Sequence, residues 1–385
     1  MALLVVSIDG ADWKDWVNIS KFLSLSEPSF AVKNVQGTFP TDTYPSHVSI
    51  MTGDYPIHHG VIANVKDDSG CWNREHSIIK SETIMQSAKK AGLKVASISW
   101  PVTLGLDIDI LFPEIWPPEE RNAQIQAYRD NTRGLGEYFD RNIDSLESFA
   151  GRDLDTFSSN LAIDILGNQH PDLMFLHLAA LDCKKHNCNC DTDPLDDAYV
   201  FLAKLLSNII AEADGYDYVF LSDHSQKPCK RKFSLEAASR HIGIEPCFTT
   251  EPYGLYSYIY TDDEPRTLEC IEKIKRQFPS SIGEVVPKRE AQMRWNMDGE
   301  FSFVLESGEG IYLTRGNDVY SSIEPDTFSQ SAHGYFPEKG PSAFFAAYCK
   351  ELKGSIYEKS SIINIAPTIA SILNLEFSAD GKSLI

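Results

Sequence analysis

The stretch Ala2-Leu3-Leu4-Val5-Val6-Ser7-Ile8, closed at once by Asp9 and Gly10, decides how the rest of the chain is read. It has no apolar/polar alternation, so a strand built from it is buried on both faces, the condition of a parallel sheet covered by helices. Similar runs recur at residues 94–100, 172–178, 216–221 and 342–348. Between several of them lie helix-like stretches, at 82–91, 155–168, 196–213 and 361–373. Strands alternating with helices predict an α/β fold, a doubly wound, mostly parallel sheet flanked by helices. In such sheets ligands bind outside the carboxyl ends of the strands. The polar residues that directly follow each strand therefore carry the functional information.

At 385 residues the chain exceeds what one hydrophobic core usually organises. From about 225 to 332 the texture changes to shorter alternating segments, including 255–260 and 301–305, with 266–277 reading as a helix. We expect a smaller α+β lobe inserted there, leaving 1–224 and 333–385 as the catalytic core. Residues 114–152, rich in Pro, Arg, Asn and Tyr, read as a mostly helical insertion.

Thirty-five Lys and Arg against 55 Asp and Glu give a formal charge of −20, which repels polyanions and excludes a nucleic-acid duplex as the expected partner. The opening apolar run has no basic flank and ends at Asp9, too soon for a signal peptide or a membrane span, so a cytoplasmic protein is expected. Its eight cysteines should then be reduced rather than form a disulfide scaffold.

Asp9 ends the first strand, Asp182 follows the 172–178 run, and Asp223-His224 follow the 216–221 run. Taken singly, an Asp at a strand end is most simply a helix cap. Together with His186, four residues after Asp182, and His333 in Ser-Ala-His-Gly-Tyr, these residues supply carboxylates and imidazoles in the mixture that suits zinc, enough for two cations. The segment GTFPTDTYPSHVSIMTGDYPIHHG, residues 37–60, reads either as a loop leading into a helix near Pro45 or as a device that sets the Thr43 hydroxyl at a helix N-terminus, where an anion is favoured.

The string Thr38-Phe39-Pro40-Thr41-Asp42-Thr43-Tyr44-Pro45-Ser46-His47, then Met51-Thr52-Gly53 and Tyr55-Pro56 to His59-Gly60, resembles the nucleophile motif of the type I phosphodiesterase/nucleotide pyrophosphatases of the alkaline phosphatase superfamily. The order Asp9, Thr43, Asp182 with His186, Asp223-His224, His333 and the tail Ala366-Pro367-Thr368-Ile369-Ala370 resemble that family too. The resemblance implies an alkaline-phosphatase-like core and a two-zinc phosphoric ester hydrolase acting on a small phosphorylated substrate. It further implies that Asp182, His186 and His333 hold one cation, and that Asp9, Asp223, His224 and the Thr43 oxygen hold the other. Thr43 would be the nucleophile, because coordination makes an otherwise weak hydroxyl available as an alkoxide, and a phospho-threonine would be hydrolysed in a second step.

Tyr44, beside the nucleophile, is expected at the leaving group. Ser46 stands where the family leads us to expect an Asn amide holding a phosphate oxygen, and Lys185 stands where it leads us to expect Gly. These departures keep a phosphomonoesterase or a phosphonoacetate hydrolase as alternatives. A sulfatase is disfavoured, since threonine cannot become formylglycine, and a catalytically silent binding protein or a structural zinc protein fits the donors less well. Cys183, Cys188 and Cys190 around His186 read as locally packed thiols, with a further metal site as the alternative. Lys184 and Lys185 read as solvated or substrate-attracting, His58 and His59 as structural or solvent-facing, and Trp13, Trp72, Trp100 and Trp116 as core or pocket walls.

Overall fold

The computed structural model describes residues 2–64, 73–115, 121–325, 327–352 and 354–385. Its centre is an eight-stranded sheet. In chain order the strands are β1 (Ala2–Ile8), β2 (Phe30–Gln36), β3 (Val95–Ile98), β4 (Ile110–Phe112), β5 (Leu173–Leu178), β6 (Tyr216–Leu221), β7 (Ala343–Tyr348) and β8 (Ser355–Ser361). Their spatial order is β8-β2-β7-β6-β1-β5-β3-β4. All pairings are parallel except those of β7, which runs antiparallel to both β2 and β6.

Successive side chains of a strand point to opposite faces, and the buried residues divide accordingly. Leu4, Val6 and Ile8 of β1, Met174, Leu176 and Leu178 of β5 and Phe220 of β6 enter one core. Leu3, Val5, Leu173, Phe175, Val219 and Leu221 enter the other. The helices Gly151–Gln169 and Asp196–Glu212 cover the first face, and Thr43–Thr52, Ile84–Lys90 and Ile365–Ile372 the second. Among the described residues no helix is long and apolar enough to cross a membrane.

The segment between β6 and β7 carries sheets of its own. Thr249–Pro252, Tyr256–Tyr260, Ile282–Pro287 and Phe303–Ser307 form a four-stranded antiparallel sheet, with the helix Glu264–Gln277 packed against it. The helices Arg121–Asn131 and Gly136–Asn142 lie in the stretch read as a helical insertion. Trp72, Trp116 and Cys71 lie outside the described residues. The other seven cysteines are unpaired.

Candidate active site at the carboxyl ends of the strands

Strands β5, β1 and β6 are neighbours in register. Ile8 pairs with Leu178 and Ser7 with Leu221. Asp9 is thereby brought level with Asp223, and the helix Ala180–His186 opens directly after β5. The ends of β1 and β5 border a cavity of about 510 Å³, lined among others by Asp9, Asp42, Thr43, Asn64, Asp182, His186 and His333.

The expected residues fall into two groups, Asp9 with Asp223 and His224, and Asp182 with His186 and His333. In the first, His224 Nε2 stands 3.0 Å from Asp223 Oδ2 and 3.7 Å from Asp9 Oδ1. In the second, His186 Nε2 stands 3.3 Å from Asp182 Oδ2. The Nδ1 of His186 lies 2.8 Å from the Ser331 carbonyl, which can only accept, so Nδ1 carries the proton and Nε2 keeps a lone pair. Thr43 opens its helix with Oγ1 3.2 Å from His224 Nε2.

Four buried atoms of the two groups have no hydrogen-bond partner among the described residues: Asp9 Oδ1, Asp223 Oδ2, His186 Nε2 and His224 Nδ1. Burial first, and then the charge of Asp182, holds the Asp9 carboxyl well above the usual range. Burial followed by Asp9 and Asp182 does the same to Asp223. Burial pushes His186 down to about 4 against the pull of Asp182, and burial with His333 beside it holds His224 far below the ordinary imidazole value. Crowded carboxylates next to neutral imidazoles with free lone pairs form a donor set that one divalent cation per group would neutralise. The residues fit such cations.

Several neighbours escaped the sequence reading. Asp42 is the N-cap of the helix that Thr43 opens, yet its side chain makes no cap bond. Instead Oδ1 accepts from His333 Nδ1 at 2.8 Å and Oδ2 accepts from the Tyr256 hydroxyl at 2.7 Å. Burial alone would lower the His333 pKa, but the bond to Asp42 and its charge outweigh this and raise it. Gly334 accompanies the clamp at φ +89, where a Cβ would lie 2.7 Å from the Tyr256 ring. His177 Nε2 lies 2.9 Å from Asp9 Oδ2 and orients that carboxylate. His47 places Nδ1 2.9 Å from the Thr43 carbonyl and Nε2 2.9 Å from Ser7 Oγ, so both nitrogens are engaged although it groups spatially with Asp9 and His177.

Tyr44 and Ser46, expected beside the substrate, are fully buried and are not among the residues lining the cavity. Successive residues of a helix turn away by about 100°, and Tyr44 packs into the core beneath the sheet. The amide expected at 46 has a counterpart in Asn64: its Oδ1 accepts from Tyr44 N at 3.0 Å, and its side chain lines the cavity near Thr43, where its NH2 is a donor. Position 64 lies 21 residues along the chain from Thr43, so no local spacing signals it. Lys185 is not a solvated lysine but 3% exposed, with its ammonium 2.6 Å from Asp15 Oδ2. Among the described residues no cysteine joins a metal-competent group. His59 is buried against Ser49, and the exposed His58 pairs with Asp380. Trp100 is wholly in the core.

A doubly wound sheet that gathers a threonine and two carboxylate/imidazole groups at its strand ends defines an alkaline-phosphatase-like hydrolase architecture. The family model described as type I phosphodiesterase / nucleotide pyrophosphatase matches residues 3–335. The bis(5'-adenosyl)-triphosphatase enpp4 of Mus musculus is 38% identical over 398 aligned residues, covering 97% of this chain and 78% of that protein. The chain belongs to the type I phosphodiesterase/nucleotide pyrophosphatase family of phosphoric ester hydrolases. Human ectonucleotide pyrophosphatase/phosphodiesterase family member 1 aligns at 34% identity over 129 residues, 29% of this chain and 14% of that longer protein. In fold the chain is similar to murine ectonucleotide pyrophosphatase/phosphodiesterase 5, with a TM-score of 0.70 at 19% identity over 99% of this chain and 98% of that one. Phosphonoacetate hydrolase from Sinorhizobium meliloti 1021 gives 0.66 at 17% identity over 92% of each chain.

Proposed function

We propose that this protein is a phosphodiesterase or nucleotide pyrophosphatase that uses Thr43 as nucleophile beside two divalent cations, zinc on this donor set. The observation that carries the reading is that Thr43, first residue of its helix, lines the cavity with Oγ1 3.2 Å from His224 Nε2 of the first donor group. Asp182, His186 and His333 would hold one cation and Asp9, Asp223 and His224 the other; when bound, the cations lower the pKa of the nucleophile and offset charge on the phosphoryl oxygens.

The chain's own residues do the rest. Asp42 engages His333 rather than capping the helix; with Tyr44 N–H given to Asn64, no N–H on Pro45 and Ser46 N–H given to the Asp42 carbonyl, the Thr43 N–H is the first-turn donor left to face a phosphoryl oxygen. The Asn64 amide adds a donor on the same side. Thr43 sheds its proton to solvent, its Oγ1–P bond forms, and the P–O bond to the leaving group breaks, that oxygen taking a proton from water. Water then attacks phosphorus, the Oγ1–P bond breaks, and Thr43 regains a proton.

The reading is tested with the zinc-loaded chain and bis-nitrophenyl phosphate. Close to two zinc equivalents and turnover are expected. Thr43→Ala should lose at least roughly a thousandfold in kcat while keeping its zinc, as expected for removal of a covalent nucleophile. Parent-like turnover by Thr43→Ala would end the covalent mechanism, and zero zinc after reconstitution would end the site assignment.

A further inference from the structure

A two-cation reaction needs its donor groups at a fixed separation, yet their members come from separate segments of chain. One buried side chain touches three of those segments. The Lys185 ammonium donates to the Gly10 carbonyl at 2.7 Å, to Asp15 Oδ2 at 2.6 Å and to Ser225 Oγ at 3.3 Å. Three protons meet three acceptors, so its orientation is determined.

Two of the three contacts, and Lys185 itself, lie one residue from a donor. Gly10 follows Asp9, and its N–H donates to Asp223 Oδ1 at 3.2 Å. Ser225 follows His224. Lys185 precedes His186 on the helix that also carries Asp182. The anchor is fixed in turn, because Asp15 accepts from the Tyr199 hydroxyl at 2.7 Å and is in the capping box of the helix Trp13–Ser20. At Gly10, φ is +71 and a Cβ would stand 2.9 Å from Asp182 Oδ1, so the β1 turn and the Asp182 helix are in close contact and a shift of one moves the other.

Stability does not account for an ammonium here. A buried ion pair is often no better than a well-packed apolar pair of similar volume. What an apolar side chain cannot do is hold the Gly10 carbonyl and the Ser225 hydroxyl at set distances.

We propose that Lys185 is a positioning residue that sets the mutual placement of the two donor groups by tying the segments after β1 and β6 to the Asp182 helix. The proposal rests on the two-cation reading above. Its test is zinc affinity, measured by competition with a chromogenic chelator on the full chain, with the thermal midpoint followed alongside.

Asp15→Asn/Lys185→Met removes both charges, so no unpaired charge stays buried. It should bind zinc roughly tenfold more weakly than the parent, the scale of a lost supporting contact. Asp15→Asn/Lys185→Gln restores a donor for the Gly10 carbonyl and should recover part of the affinity at a thermal midpoint close to that of the Met pair. On the nitrophenyl diester at saturating zinc, kcat should fall with the affinity while KM moves less. A loss smaller than threefold in the Met pair, or a loss that follows the thermal midpoint through both pairs, overturns the proposal. Should the Met pair fail to fold, Ser225→Ala carries the same test, with unchanged zinc affinity as the overturning result. Asp9→Asn separates the two failures. Two zinc equivalents retained at parent affinity by Asp9→Asn remove the two-cation reading and Lys185 with it, whereas one equivalent lost in Asp9→Asn while the Met pair keeps both at parent affinity removes Lys185 alone.

Discussion

Asp42 is the residue on which the site turns without itself belonging to either donor group. Its two oxygens join His333, which follows the inserted segment, to Tyr256 within that segment, from a position next to Thr43. A carboxylate that accepts from one imidazole nitrogen fixes the tautomer and leaves the other nitrogen for a cation. Asp42→Asn should therefore lower zinc affinity by roughly 10–100-fold, the usual effect of losing such a partner. A chelator titration checks this, and parent-like affinity would show that His333 needs no such orientation. At this scale the sequence is legible where chemistry is carried by residue type. Asp9, Asp182, Asp223 and His224 follow apolar runs closely and His186 stands four residues after Asp182, whereas His333 is marked only by its residue type and its order in the resemblance. Asp42 is hidden because an Asp before a helix reads first as a cap. Lys185 is hidden because its acceptors on Gly10, Asp15 and Ser225 are 40 to 175 residues away, and no local pattern reports them.

Among the elements, β1 and β6 are legible to the residue and β5 and β7 nearly so, because strands buried on both faces are mostly apolar. β2 and β8 escape that rule. β2 carries Lys33 and Asn34, and β8 is the largely exposed edge strand Ser355–Ser361, whose composition is polar and whose pairing with β2 is decided by register rather than hydropathy. The helix Thr43–Thr52 is buried at every position, so no amphipathic stripe marks which of its residues face the cavity, and neither adjacency to Thr43 nor the resemblance shows that Tyr44 and Ser46 turn away from it. That burial extends to the turn after it. His59 Nδ1 accepts from the Val61 N–H at 3.1 Å, so Nε2–H donates to Ser49 Oγ at 3.0 Å, and the ring is neutral. Burial pushes its pKa from 6.5 down to about 3. Protonation thus favours the unfolded chain: the stabilisation is complete above pH 6.5 and is lost as pH falls from there toward 3. By pH 5 His59 should cost roughly 2 kcal/mol of stability. Thermal midpoints of the parent and His59→Gln, compared at pH 7 and pH 5, should show the larger drop in the parent. Equal drops would mean that His59 is not held neutral.

At the scale of the whole molecule, the charge balance bears on the one question the donor groups leave open, the number of ester bonds on phosphorus. The chain carries a formal charge of −20. Besides Asp9 and Asp182 of the donor groups, the acidic residues lining the cavity are Asp42, Glu114, Asp155 and Glu251. Among the described residues Arg315 is the only Lys or Arg in that lining, and its guanidinium Nε donates to the Thr250 carbonyl at 2.8 Å. A monoester dianion brings one more negative charge than a diester into this field, and enzymes dedicated to dianions meet it with an additional cationic group. Among the described residues no Lys or Arg besides Arg315 lines the cavity to offset it. The diester, by contrast, carries a second substituent for which a cavity of about 510 Å³ has room, along walls that include Phe149, Tyr253, Tyr312 and Phe328. The zinc-loaded chain should accordingly hydrolyse bis-nitrophenyl phosphate with a higher kcat/KM than nitrophenyl phosphate. Added salt should narrow the gap, since screening relieves the dianion more than the monoanion. A preference for the monoester of tenfold or more, about 1.4 kcal/mol of transition-state stabilisation, would assign the site to monoesters while leaving its two donor groups in place.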